Sequence, residues 1–83
     1  MDDKVFDEWL RKNLGYTDRS ARDTRSRVKR ASKYIDLTKN VSKEELIFTM
    51  TQHPDFRKLT TSVKSQLKRS VKLYLQFLNE KNS

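Results

Sequence analysis

YTDRSARDTRSRVKRASKYI, residues 16–35, decides how the chain is read. Ala21, Thr24, Val28, Ala31 and Ile35 recur at intervals of three and four, which predicts a helix with a narrow buried seam. Thr17 suits the N-cap, and Asp18 suits the positive end of the helix dipole. The same stretch carries five arginines and two lysines. At 3.6 residues per turn, Arg22, Arg25, Lys29 and Lys33 gather on one flank, with Arg19 and Arg30 near the back. A seam of small residues lets another helix approach closely, so one side packs while the other holds charge.

Three further helices are predicted around this one. The first runs from about Asp3 to Asn13, capped by Asp2 or Asp3, with Val5, Phe6, Trp9 and Leu10 on one face. Leu14-Gly15 ends it, because glycine accepts the left-handed conformation that closes a helix. After a connector at residues 36–40, Ser42 with Glu45 forms a capping box, and Val41 with Leu46 a hydrophobic staple. The third helix then covers Lys43 to Gln52 and buries Leu46, Ile47 and Met50. Pro54 stops it, so "HPDF" reads as a loop from which Phe56 and Leu59 pack back. The fourth helix is capped by Thr60 or Thr61. Val63, Leu67, Ser70, Val71, Tyr74, Phe77 and Leu78 form its broad apolar face, with Lys64, Lys68 and Lys72 on its flank and Ser65 and Arg69 further round.

Composition supports an all-α fold and narrows the chemistry. One glycine and one proline among 83 residues leave little room for hairpin turns. A chain of this size buries only about 60% of its unfolded surface. Without cysteine there is no disulfide, and no metal-ligand cluster is apparent, so the eight aromatics must help supply the core. The acidic beginning "MDDKVFDEWL" lacks the apolar run of a signal peptide, and no stretch approaches a membrane span. A cytoplasmic protein with no membrane partner is expected.

Independent catalysis is not expected. The single histidine, His53, precedes Pro54 at a helix end and reads as a surface or capping residue. The serines lack a histidine or cysteine partner and a nucleophile elbow, and a single glycine cannot make a phosphate-cradling loop. No cofactor is implied. Tyr74, Phe77 and Trp9 fall at core spacing.

The charge has a clearer meaning. The formal net charge is +8, and two segments hold the excess: residues 16–35 carry seven cations against two acids, and residues 57–72 carry six cations and no acid. A solvated helix face usually mixes signs, whereas this pattern is a directed field. Arginine and lysine neutralise phosphates, and arginine also reaches guanine edges in the major groove. Hydroxyls and backbone N–H groups at helix starts, as at Thr17 and at Thr60, Thr61 and Ser62, suit phosphates as well. From Arg19 to Lys33 the cationic flank spans roughly 21 Å. Double-stranded DNA is the expected partner. The alternatives are a helical protein-interaction module that meets an acidic partner, and a dimeric helix-turn-helix regulator.

"FDEWL", then Gly15 with "YTDRSARDTRSRVKR", then "HPDFRKLTTSVKSQLKRSVKLYLQFL", resemble the N-terminal core-binding domain of tyrosine recombinases, the phage integrases. The resemblance covers nearly the whole chain. It implies a single all-α domain over residues 1–83, a compact four-helix SAM-like orthogonal bundle, monomeric in isolation. It further implies that this domain clamps one face of duplex DNA while a separate C-terminal catalytic domain of the same protein, outside this sequence, carries the chemistry. The basic helices would lie across the major groove. The expected DNA contacts are Thr17, Arg19, Arg22, Arg25, Lys29, Arg30 and Lys33 from one helix, and Thr61, Ser62, Lys64, Ser65, Lys68, Arg69 and Lys72 from the other.

Overall fold

The chain turns sharply at Gly15, and that corner sets the relation of its first two helices. A computed structural model describes residues 3–38 and 41–81. Helix α1 (Asp3–Leu14) ends where Gly15 adopts φ +65°, a value that costs an L-residue with a Cβ about 1–2 kcal/mol. The Gly15 N–H donates to the Arg11 carbonyl at 3.1 Å and the Tyr16 N–H to the Leu10 carbonyl at 3.4 Å, closing the last turn of α1. Of the two expected caps, Asp3 is the first helical residue, and Asp2 lies outside the described residues.

Helix α2 (Asp18–Ala31) starts as expected: Thr17 Oγ1 accepts from the Ser20 N–H at 3.2 Å. It stops one turn earlier than periodicity predicts. Residues 32–35 continue as turns that still deliver Ile35 to the core. Helix α3 (Lys43–Gln52) has the expected bounds, with Ser42 Oγ accepting from the Glu45 N–H at 3.2 Å.

The predicted "HPDF" loop is instead a short helix, α4 (Pro54–Arg57), so the described residues form five helices rather than four. His53 makes this possible. Its extended backbone ends α3, and its Nδ1 accepts from the Asp55 N–H at 3.1 Å, while Pro54 occupies the first position, where no N–H is needed. Helix α5 (Thr61–Lys81) is capped by Thr60, whose Oγ1 accepts from the Val63 N–H at 3.3 Å. The described residues contain no strand, so the fold is all-α.

Two clusters make the core. One joins Phe6 and Leu10 of α1, Ala21 and Val28 of α2, and Tyr74 and Phe77 of α5, with Trp9 and Tyr16 against its edge. Phe6 meets Tyr74 edge-on at 5.2 Å between ring centres. The other joins Ala31 and Ile35 to Leu46, Met50 and Phe56 of α3 and α4, and to Leu67 and Val71 of α5. Helices α2 and α5 thus contribute to both clusters, Ala21 and Val28 with Tyr74 and Phe77, and Ala31 with Leu67 and Val71. Leu37 packs on both clusters. Val5 and Leu14, though apolar, remain 39% exposed, and Phe48 of α3 is 64% exposed. The radius of gyration, 12.4 Å, matches the roughly 12 Å of a globular chain this long. No helix of the described residues is long and apolar enough to cross a membrane.

Candidate nucleic-acid interface

Helix α2 carries cations on both sides of its buried seam, and the structure gives the two sides different neighbours. On the first side lies α1. Asp7 of α1 is buried, and its carboxylate sits 2.7 Å from Arg11 Nε and 3.1 Å from Arg25 Nε. Asp7 Oδ1 and Arg25 Nε are close without hydrogen-bond alignment, so that contact is Coulombic. Lys29 Nζ pairs with Asp3 at 2.5 Å, and Arg11 reaches Asp18 at 2.6 Å. Two of the expected DNA contacts, Arg25 and Lys29, are therefore tied to α1 carboxylates.

The remaining cations of this stretch are differently placed. Arg19, Arg22 and Arg30 of α2 and Lys33 just after it are exposed, and among the described residues none makes an ion pair. Helical spacing puts Arg22 on the flank of Arg25 and Lys29, and Arg19 and Arg30 at the back; Lys33, in the turn after α2, lines a cleft with Lys29 and Asp3.

On the second side α2 meets α5 in a groove. Ser20, Asp23 and Arg27 line it from α2, and Gln66, Arg69 and Leu73 from α5. Its floor holds two small polar residues, Thr24 and Ser70, both buried. Thr24 Oγ1 donates to the Ser20 carbonyl at 2.9 Å, so its hydroxyl is satisfied within its own helix. Arg27, absent from the residues expected to touch DNA, is half-buried here. Its spacing was visible: Ser20, Asp23 and Arg27 recur by three and four on the flank opposite Arg25 and Lys29. Only the packing of α5 shows that this flank meets a second basic helix.

On α5 the expected residues divide similarly. Thr61 and Ser62 are exposed in its first turn, and Ser65 is exposed one turn later. Lys64 and Lys68 are half-buried on the side away from Arg27, while Lys72 is exposed and shares a cleft with Arg69, Lys43 and Leu37. Lys64, Lys68, Arg69 and Lys72 make no ion pair among the described residues. Thr17, exposed at the start of α2, spends its hydroxyl on its own cap. Of the expected contacts, the groove brings only Arg69 against α2.

No group of three or more histidine, cysteine, aspartate or glutamate side chains that could hold a metal ion occurs among the described residues. Compared with family models, curated proteins and solved structures, the chain matches none.

Proposed function

We propose that this chain binds double-stranded DNA through α2 and α5, by neutralising backbone phosphates with limited base readout. The observation that carries the reading is the set of unpaired cations on these two helices. Acids of α1 balance Arg25 and Lys29, yet Arg19, Arg22, Arg27, Arg30, Lys33, Lys64, Lys68, Arg69 and Lys72 have no ion-pair partner among the described residues. A fold stabilised by its own charges would pair them; a polyanion supplies the missing partner. The tyrosine-recombinase part of the reading rests on sequence resemblance alone. In that reading the domain clamps DNA for a catalytic domain encoded beyond residue 83, and the isolated domain is a cytoplasmic monomer.

Fluorescence anisotropy with a short labelled duplex tests the binding. Neutralising about six phosphates gives a slope near −5 for log K against log salt, a loss of about a thousandfold between 50 and 200 mM. Binding that ignores salt, or no binding at low salt, sinks the proposal; selective binding of an acidic protein without salt-steep duplex affinity would favour an interaction module. The coding sequence beyond residue 83 tests the family: an Arg…His-x-x-Arg…Tyr arrangement supports a recombinase, and a stop codon leaves a stand-alone DNA-binding protein.

A further inference from the structure

We propose that the groove between α2 and α5 seats one backbone phosphodiester of duplex DNA, held from opposite walls by Arg27 and Arg69. The inference rests on the DNA-binding reading and adds where the duplex lies: along the face of the α2–α5 pair bearing this groove, not along the α1 flank of α2.

Two observations converge on the groove. It receives one guanidinium from each of the two basic helices, and guanidinium is the side chain best matched to phosphate, because its planar fork donates two parallel hydrogen bonds. Arg27 is half-buried and has no ion-pair partner among the described residues, while none of its guanidinium nitrogens is shut away from solvent, so its stem is covered and its head group is open to an anion. Asp23 lies one turn before Arg27 in the same groove and pairs with neither arginine. Ser20 and Gln66 add neutral donors on the two walls. The α1 flank spends two of its cations on carboxylates, Arg25 on Asp7 and Lys29 on Asp3, whereas both groove arginines stay without an ion-pair partner among the described residues.

The test compares Arg27→Gln, Arg69→Gln and the double variant with an Arg22→Gln, Lys33→Gln control from the α1 side, by duplex titration across a salt series. Thermal melts check folding; neither groove arginine has an ion-pair partner among the described residues, so all variants should melt with the parent. If one phosphate is shared, each single groove variant loses affinity at least fivefold, and the double variant loses less than the product of the two. The double variant also lowers the salt slope by about 0.9, the increment of one phosphate. A drop of about 1.8 with multiplicative losses means two separate phosphates and overturns the shared seat. Groove variants that bind like the parent, while the control pair weakens, overturn the groove and leave DNA binding standing. A parent that binds no duplex overturns the DNA reading itself. Inorganic phosphate at millimolar concentration, followed by NMR of the arginine Nε–H signals, separates the sources: little movement is expected, and saturable shifts of Arg27 and Arg69 would reassign the groove to free phosphate.

Discussion

Asp7 shows how one side chain sorts the charges around it. It is a carboxylate on the inner face of α1, its side chain 11% exposed, in contact with Arg11 of its own helix and Arg25 of the next. Removing it leaves Arg25, whose side chain is only 27% exposed, without a counterion. Leaving a largely buried polar group without its partner costs about 1–3 kcal/mol, and Asp7→Ala should cost that much in urea denaturation. Asp18 provides the contrast. Its carboxylate is 81% exposed where it meets Arg11, so Asp18→Ala should change stability by less than about 1 kcal/mol. Sequence alone does not separate these two aspartates, because helical periodicity locates apolar residues and treats every charge as solvated. For the same reason Arg25 and Lys29 look equivalent to Arg22 and Lys33 until α1 is in place.

At the scale of elements, local chemistry was legible at the caps of α2, α3 and α5. Ser42 and Pro54 bracket α3, and its bounds follow from them. Thr17 starts α2 and Thr60 starts α5, each through a hydroxyl that accepts a backbone N–H. Helix α4 was not legible, because a four-residue helix has too few residues for a period. It forms because Phe56 is buried among α3 and α5 residues and because His53 supplies an imidazole nitrogen where serine or threonine usually serves. His53 also meets Tyr34 edge-on at 5.1 Å. His53→Ala should therefore lower stability by about 1–2 kcal/mol in thermal melts, and His53→Asn should recover the capping part alone.

The whole molecule is two small cores threaded by the same pair of helices. Because α2 and α5 contribute to both clusters, neither cluster can open without exposing the other. Unfolding should then be a single cooperative step. Trp9, the only tryptophan, reports on the α1 cluster, whereas Met50 lies fully buried in the α3–α4 cluster. Met50→Ala should cost about 2–5 kcal/mol. It should shift the Trp9 fluorescence midpoint and the circular-dichroism midpoint together in urea; separate midpoints would mean that the clusters unfold independently. This coupling is invisible in the sequence, where Trp9 and Met50 lie in helices that share no motif.

The contact between α2 and α5 at Thr24 and Ser70 has a consequence for how binding strength is adjusted. Both residues are small and shut away from solvent, so they act as a spacer holding the arginine-bearing helices at one separation. Enlarging either would push Arg27 and Arg69 apart while leaving every cation in place. Affinity for an anion would then be tuned from inside the protein, by residues that never meet the ligand.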